Sequence, residues 1–321
     1  MSDQNQESDK EKVMQLDEEL RNIPREIRDI IDPVRLRGKD TFCFSCYPGI
    51  SCFNTCCSNI EIVLTPYDIL RLRKRLDLSA EEFLYEYATP SQLQKGQLPV
   101  ALMQMDAKTG QCPFVTDEGC SVYEDRPVTC RYYPVGLALL RKQDESEQDA
   151  FHFLIKEDFC KGHQEEKKWT VDEWRADQGS DGYDERNQGW MEVILKRRSA
   201  GDAVSTSLQV SEFFYMATTN PESFRHFVFD SSFLKRYQVN KEIEEQIRND
   251  DEALTEFAFS WLKSALFGDE FIPVRPEEIK AARKRAEEKR ASASKNVADK
   301  MDAAAKSKQE TAENDSTEGE G

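Results

Sequence analysis

Cys43, Cys46, Cys52, Cys56 and Cys57 crowd into one short stretch, and Cys112, Cys120, Cys130 and Cys160 follow; the rest of the 321-residue chain holds no cysteine. Thiolates gathered this closely repel one another unless a cation lies between them, so the pattern points to metal chelation. Cys43-x2-Cys46 is a chelating knuckle, because two thiolates three positions apart can turn onto one ion at about 2.3 Å. A second pair must complete a tetrahedral set. Cys52-x3-Cys56-Cys57 offers three further thiols on a loop loosened by Pro48 and Gly49. Adjacent side chains diverge along an extended backbone, so Cys56 and Cys57 serve different sites or one of them is a core residue.

Disulfides are the rival reading. The start of the chain, MSDQNQESDKEKVMQLDEEL, has neither a basic nor an apolar segment of the secretory kind, and nine is an odd number of thiols. Both features lead us to expect a reduced, cytoplasmic protein whose cysteines bind metal. Cys130 follows Pro127 and lies between Arg126 and Arg131, so a helix start there is expected to lower its thiol pKa. That suits a ligand or a nucleophile, with His152 and His163 as the available bases. Cys160-x2-His163 also permits a mixed sulfur and nitrogen ligand set.

The scaffold follows from local signals. Thr65-Pro66-Tyr67-Asp68 ahead of ILRLRKRL predicts a capped helix, and Ser79 with Glu82 ahead of FLYEYA predicts a second. Leu98–Met105, Val135–Arg141 and Phe151–Lys156 read as strands. Thr170 with Glu173 starts another helix, a further one begins at or just before Ser211, and residues 254–267 are apolar at helical spacing. Trp169, Trp174, Trp190 and Trp261, and His226 beside Phe224, Phe227 and Phe229, are expected in the core. The fold class is α+β: a charged arm or helix over residues 1–36, a cysteine-cluster domain with short strands and helices over 37–165, a helical extension over 166–271, and a charged, disordered tail over 272–321.

Charge narrows the function. The net charge of −17 disfavours nucleic acid, which binds through cations that displace counterions from phosphate. No apolar run approaches the roughly 20 residues that span a bilayer. The cysteine loop, LTPYDILRLRKRL, CPFV, CSVYEDRPVTCRYYPVG and Cys160-Lys161-Gly162-His163 together resemble the CxxCxxCC zinc- or iron-chelating domain family, the YkgJ-type cysteine-cluster proteins, over roughly residues 40–165. The resemblance implies metal chelation and a kinship to flagellin lysine-N-methylase-type enzymes. The family's compact spacing is stretched here, which leaves Cys46 and Cys52 as alternatives for the second ligand position.

All nine cysteines are therefore candidate ligands. One Cys-x2-Cys knuckle with thiols from remote loops favours a 4Fe–4S cluster over zinc. The function expected is a metal-binding module that organises its own domain, with a redox or partner-binding role and a protein partner on the helical extension. The alternative is an enzyme with a metal-braced active site, such as a protein lysine N-methylase.

Overall fold

The computed structural model describes residues 29–92, 97–141, 148–200 and 207–281, with scattered positions between 283 and 292. The first half runs β1 (Ile31–Leu36), β2 (Thr41–Cys43), a 3-10 turn (Thr55–Cys57), β3 (Val63–Leu64), α1 (Pro66–Leu76), α2 (Ala80–Tyr87), β4 (Ala88–Ser91) and β5 (Val100–Met103). Next come β6 (Val115–Thr116), β7 (Gly119–Cys120), α3 (Val128–Tyr132), β8 (Val135–Arg141), β9 (Gln148–Ile155), a 3-10 turn (Lys161–Gln164) and β10 (Lys168–Thr170). Helices complete the chain: α4 (Val171–Gln178), α5 (Ser180–Ser199), α6 (Leu208–Thr219), α7 (Pro221–Asp230), α8 (Phe233–Arg236), α9 (Lys241–Asn249) and α10 (Asp251–Phe267). The protein is α+β, as expected.

The capping signals act where the sequence places them. Thr65, Ser79 and Thr170 each accept the amide three residues on, and Asp68, Glu82 and Glu173 return the bond, so α1, α2 and α4 all open with a reciprocal box. α6 starts a turn before Ser211 because the Ser207 hydroxyl accepts the Val210 amide at 3.3 Å. α10 starts before residue 254 because the Asp250 carboxylate accepts the amides of Glu252 and Ala253. α3 begins only after Pro127, since Tyr123–Asp125 is a 3-10 turn and Arg126 is extended.

Four small sheets, all antiparallel, carry the strands: β1-β9-β8, β10-β2, β3-β5-β4 and β6-β7. β1 falls within the stretch read as an N-terminal arm; its pairing with β9 makes it part of a sheet, and residues 1–28 lie outside the described ones. At the other end Ile272 is buried and Val274 bridges to Tyr237, whereas most of the charged tail lies outside the described residues. Among the described residues no helix is long and apolar enough to cross a membrane.

Three larger cores among the described residues hold these layers together, beside a small cluster of Ile31 and Phe151. Phe214, Phe224, Leu254, Trp261 and Trp190 fill one among α5, α6, α7 and α10, with Leu98 and Val100 reaching in from the strand side. Leu64, Ile69, Leu72, Phe83 and Met103 fill a second beneath α1 and α2, and Cys112, Cys120 and Cys130 pack against it. Phe42, Phe44, Val135, Leu154, Val171 and Trp174 fill a third, and Cys160 packs against that one. His226 departs from expectation. It is 80% exposed and pairs with Asp230 one turn away, because its helix turns Phe224 and Phe227 inward and the imidazole out.

Candidate metal centre

β2 pairs with β10 in a register that sets Cys43 opposite Lys168, and the chain leaving β2 keeps to the same partner segment. The Phe44 amide donates to the Lys167 carbonyl (2.9 Å), the Ser45 amide to the Gly162 carbonyl (3.1 Å), and the Trp169 indole to the Phe44 carbonyl (3.0 Å). Gly162 allows the approach: a Cβ there would stand 2.6 Å from the Phe44 ring and 2.9 Å from the Ser45 carbonyl oxygen. The docked loop brings the Cys52 sulfur within 3.2 Å of the Lys161 amide. Cys46, Cys52, Cys56 and Cys160 thereby become electrostatic neighbours. Burial and those neighbours push the Cys46 thiol up to about 11. Cys43, exposed at the end of β2, is not among the groups acting on Cys46.

A second assembly grows from the same loop. Asn54 takes a left-handed conformation (φ 67°) and turns the chain into the Thr55–Cys57 3-10 turn. The Cys57 carbonyl then accepts the Cys112 amide (2.8 Å), and the Asn59 amide donates to the Gly110 carbonyl (2.8 Å). Cys112 leads into the β6-β7 hairpin, where Cys120 stands opposite Val115. The Val115 amide donates to the Cys112 carbonyl (3.1 Å), and the amides of Phe114 and Val115 beside Cys112, and of Val122 beside Cys120, work against the rise of those thiols' pKa values. Cys130 comes up beside them from α3, and the charges that act on its thiol come from Cys112, Asp68, Cys120 and Cys56. Cys56 joins the two assemblies, and its contact with the Cys57 thiol, followed by burial, drives its own pKa upward.

The expected lowering of the Cys130 pKa is not found. Burial, then Cys112 and Asp68, push that thiol up. α3 is only five residues long, and the Arg131 guanidinium is occupied by the carbonyls of Arg126, Gln178 and Glu124 and by the Tyr183 hydroxyl. A thiol held protonated is a poor nucleophile. His152 is stacked on Tyr132, with Arg175 and Asp172 as its charged neighbours. His163 Nε2 donates to the Ile155 carbonyl at 2.9 Å, which leaves Nδ1 as its unprotonated nitrogen.

All nine cysteines are free. As posed, no three Cys, His, Asp or Glu side chains among the described residues close into a set that could hold an ion. The donors nevertheless fit a thiophilic metal in their chemistry. Thiols neighbour thiols in both assemblies, and sulfur is the donor class that takes zinc or iron–sulfur clusters. The Lys161 amide donates to the Cys52 sulfur at 3.2 Å, and neighbouring backbone amides pull the Cys112, Cys120 and Cys160 thiols toward the thiolate. Burial outweighs those bonds at Cys112, Cys120 and Cys160, whose pKa values rise, so a bound cation is what would ionise them. The Lys161 amide and Asp68 escaped the sequence reading, the first because backbone donors carry no residue signature and the second because its capping role already explained it.

Residues 45–170 match the family profile described as "CxxCxxCC: Putative zinc- or iron-chelating domain". This stretch is a CxxCxxCC domain. Its span opens two residues after Cys43 and closes at the last residue of β10, so the β2-β10 pairing lies across its two ends. Neither the curated proteins nor the solved structures give a match.

Proposed function

We propose that the CxxCxxCC domain is a metal-binding module whose thiols close around iron as a 4Fe–4S cluster, with zinc as the alternative occupant. The observation that carries this reading is the Lys161 amide donated to the Cys52 sulfur at 3.2 Å, where that loop brings Cys46, Cys52, Cys56 and Cys160 together, with backbone amides also acting on Cys112, Cys120 and Cys160. An amide pointed at sulfur is of small value to a neutral thiol and of larger value to a thiolate ligand. The ligands are drawn from Cys46, Cys52, Cys56, Cys57, Cys112, Cys120, Cys130 and Cys160. Cys43 stands apart, lying outside the family span and away from the groups that act on Cys46. The preference for iron rests on the irregular spacing, since regular zinc sites favour two Cys-x2-Cys knuckles and this chain has one.

Residues 37–165 then form the unit the metal organises, residues 166–271 the helical extension that offers a partner surface, and reducing cytoplasm the compartment that keeps nine thiols free. Nucleic acid is disfavoured as a partner by the charge of −17. The enzymatic alternative gains no support from the geometry around Cys130. Anaerobic purification followed by metal analysis and a visible spectrum tests the proposal. A broad band at roughly 400 nm that bleaches on reduction, and fades in Cys130→Ser and Cys160→Ser, is expected for the cluster. Colourless protein holding stoichiometric zinc would replace iron with zinc, and protein holding neither metal would end the reading.

A further inference from the structure

We propose that Asp68 is the positioning residue for the Cys130 sulfur: one buried carboxylate fixes the start of the short helix that carries the thiol and so decides whether that sulfur reaches the metal. The proposal rests on the reading of Cys130 as a ligand. α3 is too short to hold itself, since a helix of five residues sits far below the length at which propagation repays nucleation. Its N-cap residue is Pro127, which has no side-chain acceptor for the first amides. The acceptor comes from elsewhere in the chain. Asp68 Oδ1 accepts the amide of Val128, the first residue of α3, at 2.8 Å, while Oδ2 accepts the Thr65 amide at 2.8 Å and completes the α1 cap. Asp68 is 0% exposed, and a carboxylate so placed is tolerated only where hydrogen bonds replace its water. Arg131 anchors the other end of α3 on the carbonyls of Arg126, Gln178 and Glu124. Cys130 lies between the two anchors, two residues from the first and one from the second.

A carboxylate that served only α1 would need one oxygen. The second oxygen serves the cysteine helix, and this is what separates positioning from ordinary capping. Asn at this position offers one acceptor where two amides need one each. Thr65→Val supplies the control, since it removes the α1 hydroxyl cap and leaves the Asp68–Val128 bond in place.

Reconstitution with Co2+, which takes tetrahedral thiolate sites and shows sulfur-to-cobalt charge-transfer bands in proportion to the thiolates bound, gives the readout. Asp68→Asn is expected to lose the same share of charge-transfer intensity as Cys130→Ser. The double variant should lose no more than either single one, and Thr65→Val should keep full intensity. Full intensity in folded Asp68→Asn, beside a loss in Cys130→Ser, would overturn the positioning role. An unchanged spectrum in Cys130→Ser would instead overturn the ligand reading and the proposal with it. Should Asp68→Asn fail to fold, Val128→Pro removes the donor, with Val128→Ala as the control for the lost packing against the Phe42–Val135 core: proline is favoured at a first helical position, and Pro127 already holds the extended backbone that must precede a proline. It is expected to lose the same share, and full intensity there overturns the proposal equally.

Discussion

His152 makes the stability of this protein sensitive to mild acid, and the size of the effect follows from its surroundings. The imidazole sits on β9, 8% exposed, stacked on Tyr132, its buried Nε2 without a hydrogen-bond partner among the described residues. Burial first, and then the neighbouring Arg175 against the opposing pull of Asp172, push its pKa from 6.5 down to about 4. The folded protein therefore holds His152 neutral where the unfolded chain protonates it. The stabilisation is complete above the unfolded value and is lost as pH falls from about 6.5 toward 4. Two and a half units at about 1.4 kcal/mol each give a maximum near 3 kcal/mol, a large part of a typical domain stability of about 5–15 kcal/mol. Urea unfolding of the wild type and of His152→Met between about pH 7 and pH 4.5 isolates this group, because the carboxylates common to both proteins cancel in the difference. At neutral pH Met should cost little, since it removes a buried polar atom that has no hydrogen-bond partner among the described residues. By about pH 4.5 the wild type should have lost about 2–3 kcal/mol relative to the variant. Parallel stability curves over that range would refute the reasoning.

Other perturbations separate the cores from the thiol assemblies. Phe224→Ala removes a ring that is 0% exposed and packed against Phe227, Phe257 and Trp261, and should cost about 3–5 kcal/mol by chemical denaturation. Gly162→Ala should push the Phe44–Cys46 loop off its partner segment and lower the metal content of purified protein, because the added carbon would meet Phe44 and the Ser45 carbonyl. Arg73→Met cuts the ion pairs from α1 to Glu222 and Asp251, and should cost about 1–2 kcal/mol, since both carboxylates keep some solvent and Asp251 keeps Arg225. Chelation under reducing conditions should raise amide exchange in residues 45–170 and spare the Phe224–Trp261 core, and uniform exchange across both regions would contradict a metal-organised domain.

The capping boxes were legible because they are local: Thr65 and Asp68, Ser79 and Glu82, and Thr170 and Glu173 each decide a helix start within four residues. The thiol neighbourhoods were legible only as an inventory. Which sulfur meets which depends on partners such as the Lys161 amide beside Cys52 and the Cys57 carbonyl beside Cys112, contacts that span distant parts of the chain and belong to the backbone. Cys130 misled for a related reason. Its sequence neighbours Arg126 and Arg131 promised positive charge, yet the fold engages Arg131 elsewhere and surrounds the thiol with apolar atoms and other thiols. β1 was hidden in a charged stretch because its strand partner β9 lies more than a hundred residues away.

The pairing of β2 with β10 also has a consequence for how the protein is born. Cys46–Cys57 leave the ribosome long before Lys168–Thr170, the strand that closes the loop on which they sit. More than a hundred residues must be added in between, roughly 5–20 s of synthesis at common rates. During that interval the first five thiols have no docked partner segment, and the surroundings that raise the Cys46 pKa have not yet formed. The nascent chain is therefore at its most oxidisable before it is finished, and metal delivered to this protein meets its complete donor set only once Trp169 has been made.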